Sequence, residues 1–142
     1  MLKMLKMRSP LPEETETVVI NTGPLVSLGR VGAFVIIQQL PLQFLTPLEV
    51  AHEMAAGIRK GHPVSMPDWV QVTQLSTPPS LIAQKTLDAG EAAVIQLAIE
   101  RSIDSVCIDE WRGRRAAKAV GLQVTGSLGL LGRAKHQGLI SG

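Results

Sequence analysis

Asp109 and Glu110 stand side by side where the apolar run Ser105–Ile108 stops, and four of the next eight residues (Arg112, Arg114, Arg115 and Lys118) are basic. Adjacent carboxylates are the hard oxygen ligands that a divalent cation takes. Guanidinium groups beside them are suited to phosphate. Further oxygen-bearing side chains recur at comparable places along the chain. Asn21 follows the apolar run 17–20, Glu53 lies a few residues after the run 43–46, and Asp88-Ala-Gly-Glu91 opens a long apolar stretch. Each also has an ordinary structural use. Asp109 can cap the helix that follows it, and Asp88 and Glu91 have the spacing of a capping box. Glu49 and Glu53 are four apart, so one of them is expected to face solvent. The basic cluster reads equally as a solvated helix face. Taken singly, the acids leave ligand and cap both open.

The elements that must position these groups alternate. Residues 17–20 (TVVI) read as a buried strand, stopped by Asn21-Thr22-Gly23-Pro24, where Asn21 or Thr22 can cap and Pro24 suits a first helical turn. A short helix over 24–34 and a second element over 35–40 follow. A strand is expected at 43–46, then a helix over 47–60 with Leu48, Ala51 and Ala55 on its apolar side. A loop at 61–68 leads to an alternating edge strand at 69–75, broken by TPPS. The strongest helical pattern covers 87–102, with Val94, Ile95, Leu97, Ala98 and Ile99 at helical spacing. After it come a strand at 105–108, a helix at 110–120, a strand at 123–126 and a last helix at 127–140, whose Gly126, Gly129 and Gly132 suit close packing. Strand–helix alternation implies an α/β fold around a mainly parallel sheet. In such a sheet ligands bind beyond the carboxyl ends of the strands, so Asn21, Asp109 and Glu110 should emerge on one edge, with Glu53 and Glu91 beside them.

Composition narrows the function. The chain has 142 residues, 45% of them hydrophobic and 18% charged, which fits one folded domain preceded by a tail over 1–16. A net charge of +2, from 14 basic and 12 acidic residues, does not by itself announce nucleic acid. Two Phe, two Trp and no Tyr leave few rings for a base-stacking platform. The single cysteine, Cys107, sits mid-strand and reads as core, which suits a reducing cytoplasm. Nothing resembles a secretory signal or a run of roughly 18 apolar residues able to cross a membrane. His52, His62 and His136 are isolated, which argues against zinc. No nucleophile elbow, GxGxxG or GxxxxGK[ST] loop is present, which counts against a serine hydrolase or a nucleotide-binding domain.

Together, VVINTGPLVSLGRVG, LTPLEVAHEM, LDAGEAAVIQLAIE and VCIDEWRGRRAAKAVGLQVTGSLGLLGRAKHQGLI resemble the PIN-domain family, in its VapC-toxin-like, DUF3368-type branch. The resemblance covers 17–140 and implies a PIN-like three-layer α/β/α sandwich over 17–142. It further implies a Mg²⁺- or Mn²⁺-dependent ribonuclease, homodimers and a cognate antitoxin. By position it assigns Asn21, Glu53, Glu91, Asp109 and Glu110 to the metal site, with Glu53, Glu91 and Asp109 catalytic. Arg112 and Arg115 are then expected on the RNA, sharing one helix face at the crevice mouth, with Thr22 orienting a water or Asn21. Asn21 departs from the aspartate usual at its position, and the chain stops at Ile140-Ser141-Gly142 where relatives commonly continue. Both departures point toward an attenuated enzyme or an inactive PIN domain that binds antitoxin or RNA.

Overall fold

The computed structural model describes residues 15–141. Residues 1–14, most of the expected tail, lie outside the described residues. The elements run β1 (Glu16–Ile20), α1 (Thr22–Arg30), α2 (Phe34–Ile37), β2 (Leu42–Pro47), α3 (Leu48–Arg59), β3 (Val70–Thr73), α4 (Leu81–Thr86), α5 (Ala89–Glu100), β4 (Ser105–Cys107), α6 (Trp111–Ala119), β5 (Gln123–Thr125) and α7 (Ser127–His136). The five strands form one all-parallel sheet in the order β3-β2-β1-β4-β5, flanked by helices as a PIN-like α/β/α sandwich. Among the described residues no helix is long and apolar enough to cross a membrane.

Parallel strands buried on both faces read as continuous apolar runs, and the central pair obeys this. Val18, Val19, Ile20, Val106 and Cys107 are all 0% exposed. In register, Val18, Val19 and Ile20 pair with Ser105, Val106 and Cys107. Across the sheet lies α5, buried on nearly every side through Ala92–Ile95, Leu97 and Ala98. A helix that apolar belongs inside, although Ile99, expected on its core face, is largely exposed.

Four local expectations change. Glu16, assigned to the tail, begins β1, because it pairs with Leu42 and its carboxylate takes Arg133 at 2.9 Å and the Ser105 hydroxyl at 2.8 Å. The apolar side of α3 is Val50 and Met54, four residues apart, and not Leu48, Ala51 and Ala55; Val50 and Met54 join the core while Leu48 and Ala51 are half-buried and Ala55 is exposed. Helix α4 was not foreseen. Ser80 caps it through the Ala83 N–H, yet it buries no side chain, so no apolar period marks it in sequence. Finally, α7 stops at His136 because Gly138 adopts φ +78° and the Leu139 N–H bonds back to the Ala134 carbonyl, a turn that glycine favours. The same device at Gly32 (φ +71°) separates α1 from α2.

Leu97 is fully buried in α5, whereas α4 buries nothing. Leu97→Ala should therefore cost about 2–5 kcal/mol and Leu81→Ala, at a side chain 73% exposed on α4, under about 0.5 kcal/mol, read as midpoint shifts in urea unfolding monitored by circular dichroism.

Candidate metal centre

The chain leaves β1 toward β2 and β3, then returns through α5 to lay β4 on the other side of β1. That reversal opens a crevice at the carboxyl edge between β1 and β4, where α/β folds bind ligands. The Asn21 N–H donates to the Cys107 carbonyl at 3.0 Å and the Ile108 N–H to the Thr125 carbonyl at 2.9 Å, so the ladder runs up to the crevice floor. Thr46, buried at the end of β2, donates its hydroxyl to the Ile20 carbonyl at 2.6 Å. Asn21, Glu53, Asp88, Asp109 and Glu110 then line one cleft of about 470 Å³, with Thr22 and Ser27. Glu91 lines a second cleft of about 520 Å³, which shares the Asp88 and Glu110 walls and adds Lys85, Trp111 and Arg112.

Each carboxylate has its own local cause. Glu53 accepts a hydrogen bond from the Thr22 hydroxyl. It fits because Gly90 has no side chain: a Cβ there would lie 2.5 Å from Glu53 Oε1. Glu91 is 4% exposed, and its carboxyl carbon would lie 3.1 Å from a Cβ on Gly113. Burial first, then the negative charges of Asp88 and Glu110, push the Glu91 carboxyl above the usual carboxylate range, while Arg112 opposes them. Asp109 accepts from the Ser127 N–H at 2.7 Å and the Ser127 hydroxyl at 2.5 Å. It thus caps α7, not the adjacent α6 as its sequence position suggests, and its charge meets the positive end of α7. Glu110 is the residue at the cap position of α6, but its side chain makes no capping bond.

Asn21 occupies the cap position of α1, yet its side chain does not cap. It is 4% exposed, and Oδ1 finds no hydrogen-bond partner among the described residues. An acceptor buried without a donor costs about 1–3 kcal/mol, which a cation or water would relieve.

Other expectations are redrawn. Glu91 lines the outer cleft, packed against Gly113, while Asp109 in the inner one turns to Ser127, and the two clefts meet at Asp88 and Glu110. Among the described residues no three His, Cys, Asp or Glu side chains lie close enough together to hold an ion between them. Neither Glu49 nor Glu53 faces solvent freely; both are half-buried. Thr22 bonds Glu53, not Asn21. Arg112 lines the outer cleft, but Arg115 lines neither cleft and lies over the Trp111 ring, 5.8 Å from its centroid. Of the glycines, Gly129 packs on Thr125, Gly132 has nothing within 4 Å, and Gly126 precedes α7, where a Cβ would lie 2.7 Å from Asp109 Oδ1.

Two participants escaped sequence reasoning. Asp88 accepts the Glu91 N–H at 2.7 Å as a cap and also walls both clefts, so its capping spacing concealed a second position. Arg114 donates to the Ile108 carbonyl at 2.8 Å, bracing the turn that presents Asp109, and no sequence signal singles it out from its basic neighbours.

The donor chemistry fits a hard divalent cation: all available ligands are oxygens, one has no partner among the described residues, and burial together with neighbouring anions raises the Glu91 proton affinity. A parallel sheet in this strand order with acids at its switch point defines an α/β domain with an acidic crevice at its carboxyl edge. The chain belongs to the PIN-domain family: a family model described as a PIN domain, DUF3368, matches residues 17–142. PIN domains are generally metal-dependent nucleases. No curated protein matches the chain.

The raised Glu91 pKa carries a sign. Below the ordinary carboxylate range the group is protonated in folded and unfolded chains alike. As pH rises the folded state keeps its proton longer, so stability is lost between the ordinary value and the raised one. In EDTA, Glu91→Gln should therefore melt higher than the native protein at pH 7, with the advantage vanishing as pH falls below about 4. Thermal melts across pH check this, and a variant less stable at pH 7 would contradict it.

Proposed function

We propose that the chain is a divalent-metal-dependent endoribonuclease, using Mg²⁺ or Mn²⁺, whose centre is the cleft between β1 and β4, and that Asn21 attenuates it. The observation that carries the reading is the buried Asn21 Oδ1, without a partner among the described residues, in a cleft walled by Glu53, Asp88, Asp109 and Glu110. Glu53 and Asp109 would hold the ion from the inner cleft, with Glu91 reaching it through water from the outer one and Glu110 and Asp88 on the wall between. When bound, the ion supplies a water of lowered pKa and charge stabilisation at a phosphate. Thr22 fixes the Glu53 carboxylate by its hydrogen bond. Arg112 on the outer cleft is placed to neutralise a phosphate of the RNA. Arg115 contributes positive charge at the rim and not a contact inside the cleft.

The family supports further proposals. The chain acts in the cytoplasm as the toxin of a toxin–antitoxin pair, restrained by a cognate antitoxin, and forms a homodimer. The apolar surface for a second copy would be Val31, Val35 and Leu128, which are 65–83% exposed around the packed helices α1, α2 and α7.

A second reading is favoured by Asn21 itself: an inactive PIN domain retained as an antitoxin- or RNA-binding module. An amide keeps an oxygen ligand but removes a full charge beside the cation. A net loss of about 1.5–3 kcal/mol weakens binding roughly ten- to a hundredfold. Asn21→Asp should recover that factor in Mn²⁺ affinity by calorimetry and raise cleavage of pooled RNAs in Mn²⁺. Equal cleavage by native protein and variant would refute attenuation. RNA binding without cleavage by either would leave the inactive module.

Gly90→Ala offers a separate check. The added Cβ displaces the flexible end of Glu53, while alanine in a helix gains up to about 1 kcal/mol over glycine. The variant should fold at least as stably as the native chain yet bind Mn²⁺ more weakly, as read by calorimetry alongside urea unfolding.

A further inference from the structure

Three of the four aromatic rings in the chain are spent on the core. Trp69 meets Phe34 edge-on with centroids 5.6 Å apart and Phe44 at 5.4 Å, so this cluster stands behind β2 and β3. The fourth ring, Trp111, is 64% exposed. It is the first residue of α6, directly after Asp109 and Glu110, and it lines the outer cleft together with Lys85 and Arg112. Its packing does not explain a tryptophan there, since the buried face of α6 is Gly113 and Ala117. Arg115, one turn further along, lies over the ring at 5.8 Å. That cation–π contact steadies the indole and adds positive charge beside it.

We propose that Trp111 is a stacking seat for one unpaired nucleobase of a single-stranded RNA, with Arg112 and Lys85 neutralising the phosphates on either side of that nucleotide. The proposal rests on the reading of the neighbouring cleft as a nuclease centre and names the form of RNA it accepts. The two clefts share Asp88 and Glu110, so a strand whose base rests on Trp111 would run its backbone from the basic wall toward the acids. A paired base cannot offer its face to a protein ring, whereas an unpaired one can. The scarcity of aromatics therefore does not exclude stacking; one ring beside the centre is enough to select a single splayed nucleotide.

Tryptophan fluorescence reports the event, because Trp111 is exposed at the proposed seat while Trp69, half-buried against Phe34 and Phe44, supplies a background that the Trp111→Ala variant measures by itself. Native protein in millimolar Mg²⁺ is titrated with a non-cleavable 2′-O-methyl oligoribonucleotide, with the same oligomer abasic at its centre, and with a blunt duplex. The single strand should quench and bind more tightly than the other two. Trp111→Ala should weaken its binding about 5- to 150-fold, remove the quench and erase the preference over the abasic strand. Trp111→Phe should restore most of the affinity and the preference. Full affinity and abasic discrimination in Trp111→Ala, by anisotropy, would overturn the stacking seat while leaving the nuclease reading intact. Native protein that binds none of the three nucleic acids would overturn both.

Discussion

The pairing of β1 with β4 is the constraint on which the rest of the molecule depends. These strands are distant in sequence, and their union splits the connections so that β2 and β3 lie on one side and β5 on the other. The strand ends meet with no helix between them, and the main-chain bond from Asn21 to Cys107 fixes their relative height. A one-residue slip would exchange the two buried faces of Val18–Ile20, unseating their packing against the helices, and move Asn21 off the crevice floor. The fully buried side chains of both strands make that slip costly, so hydrophobic burial in the sheet is what holds the polar edge in place.

Above that floor the acids are accommodated by missing side chains. Gly90 makes room for Glu53, Gly113 for Glu91 and Gly126 for Asp109 and Arg114. Helices α3, α5 and α6 can thereby approach closely without expelling charge. Their carboxylates are then steadied by neighbours, Thr22 for Glu53 and Ser127 for Asp109. Glu91 has a neighbourhood of burial and like charge instead, which leaves it poorly satisfied as an anion. Asn21 has no partner for its acceptor among the described residues. The centre thus combines two well-anchored acids with two strained positions, an asymmetry suited to a ligand that arrives from outside.

Much of this was legible from the chain because buried parallel strands and an all-apolar helix leave unmistakable runs: 17–20, 105–108 and 89–100 all appear close to where they were expected. The switch-point placement of Asn21, Asp109 and Glu110 followed from alternation alone. What stayed hidden depends on distant contacts or on weak burial. The bond from Asp109 to Ser127 spans 18 residues, so local spacing suggested the wrong helix to cap. Helix α4 buries nothing and carries no period. On α3, Leu48, Val50, Ala51, Met54 and Ala55 are all apolar, and which of them meets the core depends on how the helix docks in the fold. Asp88 was readable as a cap, but its place on the cleft wall needed the fold.

Cys107 lies at the heart of that central pairing, 0% exposed, with burial and the nearby Asp109 charge driving its thiol far above the usual range for ionisation. It is the sole cysteine of the chain, and a thiol that neither ionises nor reaches solvent does not react with alkylating reagents while the fold is intact. The native sequence is therefore already a blank background for site-directed labelling: a cysteine introduced at any exposed position becomes the one reactive handle for a fluorophore, a spin label or a crosslinker. Conversely, modification of Cys107 itself would report the moment at which β1 and β4 part.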